Sequence, residues 1–333
     1  MRQLTICALS LAATIVFSAP SWAQQSGAQL TPGDSVGTAG VTESKQLTIK
    51  QSRQYMLDLI NRDRKRKGVP PVTLDPIATS AGQTHAKEMA AKGYLGHYDV
   101  LGHKPWQRYT EAGGSGYVAE NTYNMHTLQQ PAQLPDGNRY TVLPNPHLLK
   151  NDLEQAESNL FNEVPPNDGH RRNILSPDHD GVGIGIAVGT NGNEYIIAIT
   201  QEFTDNKGAF DPLPPQIQIG QEIVVSGKLS PGYQLHGIDL KWDSPPQPMA
   251  PQEISKLNTY ALPEKQIASY WPPPYQSPEP VTLIRSSDGD KFKLVIKPQP
   301  SWEAGIYYVE IWANTPEGKK TVAVSMRTMI LPR

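Results

Sequence analysis

Four side chains in the N-terminal half carry groups that could do chemistry: His97 in "GYLGHYD", Glu120 in "VAENT", Glu163 in "LFNEV" and His170 in "GHRRNIL". Two imidazoles could hold a divalent metal, and two carboxylates could serve as general acid and general base. Because these residues are scattered along the chain, no local metal-ligand spacing joins them. The residues alone give a weak signal, which depends on a fold that brings them together.

Glu163 has a helical context of its own. A helix over residues 151–163 would place it on one face with Leu153, Ala156 and Leu160. A carboxylate on a buried face needs a partner. The alternative is a helix end at which this face has already reached solvent, and periodicity does not decide between the two.

Other chemistry finds less support in the sequence. It contains no Gly-x-Ser-x-Gly elbow and no phosphate-cradling glycine-rich loop. The single cysteine, Cys7, lies in the first residues and offers no thiol nucleophile to a processed chain. His85 lies on the apolar face of a helix and is expected to be a hydrogen-bonded core histidine. His103 and His179, which lie near the site residues in sequence, could line the rim of the site.

Composition limits the classes of protein that fit. A length of 333 residues favours two domains, and a hydrophobic fraction of 38% supports globular cores. The net charge of −2 and the pI near 6.5 give no electrostatic footprint for nucleic acid or an anionic membrane. We therefore expect no nucleic-acid partner.

The first residues are typical of a secretory signal peptide. Arg2 precedes an apolar run at positions 4–17, and Ser21-Trp22-Ala23 provides a small-x-small cleavage site, which predicts a signal peptide over residues 1–23. The run is short for a membrane span, so we expect no transmembrane segment in the mature chain. Residues 24–44 read as a flexible linker. The protein is expected to be secreted or periplasmic.

Helix and strand signals in the first domain follow one another closely. One helix is expected from near Leu47, and a second from Asp75 or Pro76 to Gly93, with Asp as cap and Pro in the first turn. Strands at 182–188 and 195–203 are joined by an Asn-Gly turn. The alternating glycines of the first strand would let the backbone of another element approach closely.

Beyond "FDPLPP" at 210–215 the pattern becomes all-β. Candidate strands fall at residues 222–229, 235–242, 281–285, 291–297, 305–313 and 321–331, which predicts an antiparallel sandwich over 216–333. Glu303, Gly305 and Tyr307 have the spacing of a tyrosine corner. Val309 stands where an immunoglobulin domain carries its second cysteine. The sandwich is expected to be Ig-like.

Four blocks in order, "INRDRKRKGVPPVTLDP", "HAKEMAAKGYLGH", "GYVAEN" and "GHRRNILSPDHDGVGIGIAV", resemble the CAP superfamily, the SCP-like family of cysteine-rich secretory, antigen 5 and pathogenesis-related proteins. The resemblance covers roughly residues 45 to 205. It implies an α-β-α sandwich at 45–208, and hence an α+β fold class followed by the all-β domain. It also implies a shallow cleft that holds two histidines and two glutamates.

Carried over residue by residue, the resemblance assigns His97 and His170 as the pair that can hold a divalent metal, often zinc. Glu120 and Glu163 become the nearby glutamates. It further suggests that Gly169 permits a close turn that aims His170 into the cleft.

Arg171 and Asn173 are expected to be tied to surrounding backbone and carboxylates. Two positions depart from the family pattern, Leu160 in place of the common Trp and Ala119 in place of Gly. An extra loop at 127–150 could be a lid, a partner surface or an insertion.

Two functions follow from these residues. In the first, the cleft binds a divalent metal and an envelope or extracellular ligand. In the second, the protein is a hydrolase of cell-wall glycan or peptide, with Glu120 and Glu163 as catalytic groups or with metal assistance. Whether the protein is an enzyme stays open. Binding is favoured, because two histidines leave a zinc ion short of the three protein ligands of catalytic sites.

Overall fold

The computed structural model describes residues 46–127, 131–273 and 283–333. The predicted signal peptide (1–23) and linker (24–44) lie outside these residues and stay predictions. The described residues form one compact unit.

The first part of this unit is a mixed sheet with helices on both sides. Its elements are β1 (Gln46–Thr48), α1 (Ile49–Arg66), β2 (Thr73–Leu74), α2 (Pro76–Lys92), α3 (Pro105–Glu111), β3 (Tyr117–His126), β4 (Thr141–Val142), β5 (His147–Leu149), α4 (Lys150–Phe161), α5 (Gly169–Leu175), β6 (Gly181–Asn191) and β7 (Glu194–Asp205). The five-stranded sheet has the order β2-β6-β7-β3, and β4 also pairs with β6. All pairings are antiparallel except that of β2 with β6. β3 therefore forms one edge of the sheet.

Side chains of β6 alternate between two helical layers. Val182, Ile184 and Ile186 join a buried cluster with residues of α1, α4 and α5. The residues of β6 at odd-numbered positions face α2. One of them, Ala187, belongs to a separate cluster with Ala86. These layers confirm the α-β-α sandwich that the sequence predicted.

The glycines of β6 allow α2 to lie directly on the sheet. A Cβ atom at Gly183 would stand 2.1 Å from the carbonyl carbon of Ala78, and one at Gly185 would stand 2.3 Å from the backbone of Gly82. No real side chain tolerates such distances. The interpretation of the alternating glycines is confirmed.

Local signals set the ends of the first two helices correctly. Thr48 caps α1 in a capping box with Gln51. Asp75 caps α2 by accepting hydrogen bonds from two backbone N–H groups, and Gly93 ends it with a φ of +69°.

The prediction for the third helix is wrong at its end. α4 stops at Phe161, so Glu163 lies beyond the helix and not on its buried face. Pro165 and Pro166 follow closely, and the residue before a proline is disfavoured in the helical conformation. The buried carboxyl group on this face is that of Glu157.

The extra loop at 127–150 contributes to the fold where it is described. β4 extends the central sheet, β5 pairs with β1, and Tyr140, directly before β4, is buried with Tyr94. Residues 128–130 are outside the described part.

The second part is an antiparallel sandwich, as predicted. Its elements are β8 (Gly208–Phe210), β9 (Ile223–Leu229), β10 (Gln234–Asp243), α6 (Pro251–Ile254), β11 (Lys265–Tyr270), β12 (Ile284–Arg285), β13 (Lys291–Ile296), β14 (Gly305–Asn314) and β15 (Thr321–Leu331). Two four-stranded sheets, β11-β10-β14-β15 and β12-β13-β9-β8, enclose one core. The sequence did not indicate β8, α6 or β11. Positions 281 and 282 of one predicted strand are not described.

The tyrosine corner forms as its spacing indicated. The Tyr307 hydroxyl donates to the carbonyl oxygen of Glu303 at 2.9 Å, and Trp242 Nε1 donates to the same oxygen at 3.2 Å. Val309 is buried in the core of the sandwich. The first of these hydrogen bonds is the one that defines a tyrosine corner.

The two parts are packed against each other. Trp106 and Tyr109 of α3 share a buried cluster with Tyr308 of β14 and Met326 of β15 in the sandwich. Lys104 Nζ lies 2.6 Å from Asp243 Oδ2 across the same contact. β8 pairs with β9, so the chain passes into the sandwich between β7 and β8. The exact domain boundaries, 45–208 and 216–333, stay predictions.

Candidate functional site

His97 is held by a buried ion-pair network. Its Nδ1 atom lies 2.9 Å from Glu120 Oε1, and Arg108 Nη2 donates to Glu120 Oε2 at 2.6 Å. Arg108 Nη1 also donates to the carbonyl oxygens of His97 and His103 at 2.8 and 2.9 Å. Arg108 therefore fixes both the carboxylate and the backbone of the segment that carries His97.

Arg108 also sets the charge of Glu120. Burial alone would raise the pKa of Glu120, but the Arg108 guanidinium, followed by His85 and His97, outweighs burial and holds that pKa well below its ordinary value. Glu120 is consequently an ionised carboxylate with both oxygens engaged. Sequence reasoning missed Arg108, because nothing in the pattern of α3 marks it.

A second carboxyl group, Glu202, lies beside Glu120. The two residues are register partners on β3 and β7. Burial, followed by the charge of Glu120, raises the pKa of Glu202 well above its ordinary value, which favours the protonated form of Glu202. The alternation of β7 would have revealed Glu202 only if the register with β3 were known.

Glu163 orients His170 in the same way as Glu120 orients His97. Its Nδ1 atom lies 2.5 Å from Glu163 Oε1, and its backbone N–H donates to Glu163 Oε2 at 3.0 Å. The expected role of Gly169 is wrong, because Gly169 does not adopt a positive φ and a Cβ atom there would meet nothing within 4 Å. Glu163, just after α4, orients His170 instead.

Two asparagines tie α5 to the edge of the sheet. Asn121 Nδ2 donates to the carbonyl oxygen of His170 at 3.1 Å. Asn173 Nδ2 donates to Asn121 Oδ1 at 2.9 Å and to the carbonyl oxygen of Glu120 at 3.3 Å. Arg171 donates to the carbonyl oxygen of Phe161 at 2.5 Å. Asn173 and Arg171 thus bond to backbone, as the sequence indicated, whereas Asn121 was not anticipated.

The structure brings the four candidate side chains together. The ring centroids of His97 and His170 are 6.1 Å apart, with 40° between the ring planes. His97 follows α2, whereas His170 belongs to α5, and these helices pack on opposite faces of the sheet. The two imidazoles therefore lie next to each other at the edge of the sheet that β3 forms.

The two histidines have the hydrogen-bonded carboxylates that usually support metal-binding imidazoles. Each Nδ1 atom faces a carboxylate, which leaves Nε2 of both rings free of hydrogen bonds within the described residues. A carboxylate on the far nitrogen is the usual support of a metal-bound histidine. Two imidazoles on one zinc ion have centroids roughly 5 to 6.5 Å apart, which includes the separation found here.

In the part of the chain that the structure describes, these two rings are the only protein ligands available to such an ion. Within the described ranges, no group of three or more His, Cys, Asp or Glu side chains has the arrangement of a metal site. An ion at His97 and His170 would complete its coordination with water or with an external ligand.

One aromatic side chain from the second part reaches this site. Tyr260, between α6 and β11, lies edge-on to His97 and to Trp106, with ring centroids 5.1 and 5.0 Å apart. His97 is only 7% exposed. Sequence reasoning missed Tyr260, because it lies in the other part of the chain and no motif marks it.

The remaining histidines near the site have structural roles. Nε2 of His85 hydrogen-bonds the carbonyl oxygen of Gly96 at 2.8 Å, and burial lowers the His85 pKa to about 4, so the core histidine was predicted correctly. His179 is buried 2.6 Å from Asp205 and stacks on Phe203, and so does not line a rim. His103 lies 3.1 Å from Asp99 and stays partly exposed.

Comparisons with known proteins agree with the architecture of the first part. Residues 57–203 match the family model described as "CAP: Cysteine-rich secretory protein family". No curated protein matches the chain. A solved structure of murine CRIg is similar at 10% identity and a TM-score of 0.24, over 38% of this chain and 96% of that one, which is too slight to indicate a shared fold. None of the helices in the described part is long and apolar enough to cross a membrane.

Proposed function

Since residues 57–203 form a CAP domain, we propose that the protein is a binding protein of this family whose cleft holds a divalent cation, zinc in the first instance, between His97 and His170. One observation carries the proposal: both imidazoles turn Nδ1 to a carboxylate and lie with ring centroids 6.1 Å apart. Bound zinc would supply positive charge and open coordination positions for an oxygen or nitrogen donor.

The protein's own residues have distinct roles in this proposal. His97 and His170 bind through Nε2. Glu120 and Glu163 hold each ring in the tautomer with Nδ1 protonated, which makes Nε2 the basic nitrogen. Arg108 keeps Glu120 ionised for this purpose.

The proposed setting is outside the cytoplasm. The predicted signal peptide at 1–23 favours a secreted or periplasmic protein, and the ligand is then a component of the cell envelope or the extracellular medium.

The alternative, a hydrolase of cell-wall glycan or peptide, finds no support in the carboxylates. A general base needs a free oxygen near the proton it removes. Both oxygens of Glu120 and both of Glu163 are already engaged. Release of soluble fragments from purified peptidoglycan by the wild type but not by Glu163→Gln would reverse this preference.

Calorimetric titration of the metal-free protein with Zn²⁺ tests the proposal. We expect one site in the wild type and no measurable uptake in His97→Ala/His170→Ala. The matched control is His147→Ala/His236→Ala, which removes two exposed imidazoles and should bind zinc as the wild type does.

A second variant tests whether the orientation of the His170 ring contributes to zinc binding. Glu163→Gln keeps His170 but loses the carboxylate on Nδ1, and should weaken zinc affinity by about 10- to 100-fold. Undiminished zinc affinity in the double histidine variant would refute the site altogether.

A further inference from the structure

We propose that Tyr260 is a specificity-determining residue of the His97–His170 site, and that it restricts this site to small anionic ligands. The inference rests on the proposed function, because it concerns what the same ion would bind. It depends on residues 244–264, which connect β10 to β11 and are called here the connecting segment.

The connecting segment is hydrogen-bonded to the loop that carries His97. Met249 N–H donates to the carbonyl oxygen of Val100 at 2.9 Å, and Leu95 N–H donates to Ser255 Oγ at 3.3 Å. Ala261 N–H donates to the Tyr98 hydroxyl at 3.1 Å. Because these bonds lie on both sides of His97, the connecting segment has a defined position over it.

Two glycines shape the His97 loop to receive the connecting segment. A Cβ atom at Gly96 would stand 2.4 Å from Ile254 Cγ2, and one at Gly102 would stand 2.4 Å from the carbonyl oxygen of Gln247. Ile254 is fully buried in the cluster that contains Met89. This packing indicates that the contact belongs to the folded core and is not a loose approach of two loops.

Tyr260 closes one side of the site. Its ring is edge-on to His97 and is itself backed by Trp106, at centroid distances of 5.1 and 5.0 Å. The side chain of His97 is 8% exposed, whereas that of His170 is 28% exposed. The space between the rings is therefore more accessible from the His170 side than from the His97 side.

Charge determines the class of ligand. The carboxylate of Glu120 is balanced by Arg108 at 2.6 Å. A divalent cation held by two neutral imidazoles then outweighs the carboxylate of Glu163, and the site favours an anionic donor. With Tyr260 on one side, that donor fits as a small carboxylate, phosphate or hydroxamate and not as part of an extended polymer.

Acylation of histidines by diethyl pyrocarbonate, followed by mass spectrometry of the metal-free protein, tests the position of Tyr260. In the wild type, His170 should react faster than His97. Tyr260→Ala should bring the rate of His97 up to that of His170, whereas Tyr260→Phe keeps the ring and should behave as the wild type.

Two controls separate shielding from unfolding. Leu262→Ala removes a 74% exposed side chain of the same connecting segment and should leave the rate of His97 unchanged. His85 is buried and should stay unreactive in every folded variant. An unchanged rate of His97 in Tyr260→Ala, with His85 still protected, overturns the proposal.

The ligand class is tested on the zinc-loaded protein with two hydroxamates. The wild type should bind acetohydroxamate at least about tenfold more tightly than 1-naphthohydroxamate, a difference of about 1.4 kcal/mol, and Tyr260→Ala should lose this preference. Equal affinities in the wild type overturn the size restriction. Failure of zinc to bind at all overturns the proposed function instead, and the acylation rates then decide the shielding role of Tyr260 by themselves.

Discussion

At the scale of single residues, burial has opposite consequences for two carboxyl groups of the first part. Glu120 stays ionised because Arg108 compensates its burial. Glu157 accepts a hydrogen bond from Gln201 at 2.6 Å, its other oxygen has no partner within the described residues, and burial raises its pKa to about 8. Glu157 is therefore neutral below this pH.

The raised pKa of Glu157 predicts how stability depends on pH. The folded protein retains a proton that the unfolded chain releases above its ordinary pKa of 4.5. The free energy of unfolding should consequently fall as pH rises from about 4.5 to about 8, by up to ~1.4 kcal/mol per pH unit from this group. In Glu157→Gln this contribution is lost, and urea unfolding between pH 5 and 8 should give a flatter dependence than in the wild type.

The matched control is Glu154→Gln, an exposed glutamate on the same helix. Its unfolding should follow the pH dependence of the wild type. Identical slopes in the wild type and Glu157→Gln would mean that Glu157 is ionised in the folded state.

At the scale of elements, the sequence predicts helix ends and strand faces, because these depend on residues that are close together in the chain. Thr48, Asp75 and Gly93 set helix ends through contacts within one turn, and the strand alternation gave the two faces of β6. The end of α4 was misplaced, because periodicity continued to Glu163 whereas the backbone did not.

The residues of the site likewise divide into those that a local motif marks and those that only the packing of distant segments reveals. The family motifs identified His97, Glu120, Glu163 and His170, which the structure brings together. Arg108 and Tyr260 could not be predicted, because their positions depend on how distant segments pack and on no local pattern.

The contact of α2 with β6 gives a prediction at this scale. Gly183→Ala should destabilise the protein by about 1 to 3 kcal/mol or more, because the new methyl group meets the backbone of Ala78 and Thr79. Gly169→Ala is the matched control: nothing lies within 4 Å of its Cβ position, and the free energy of unfolding should stay within about 0.5 kcal/mol of the wild type. Denaturant unfolding measures both. Equal effects at the two positions would contradict the close helix–sheet contact.

At the scale of the whole molecule, the two parts are joined by a shared apolar cluster and by the connecting segment. The proposed ion site lies at their contact, since the His97 ring of the first part touches the Tyr260 ring of the second. We therefore expect heat to unfold residues 46–333 in one cooperative transition.

Two methionines of β15 distinguish the shared cluster from the core of the sandwich. Met326 packs in the cluster with Trp106, whereas Met329 lies in the sandwich core alone. Each change to Ala should cost about 2 to 5 kcal/mol, but only Met326→Ala should separate the calorimetric transition into two. Two transitions in the wild type would contradict the coupling of the parts.

The most direct measurement is anomalous X-ray scattering at the zinc edge from crystals of the protein grown with Zn²⁺. A binding site between His97 and His170 predicts one strong peak at about 2 Å from Nε2 of both rings. A map with zinc bound only at other histidines, such as His147 or His103, or with no peak between these two rings, would contradict the account.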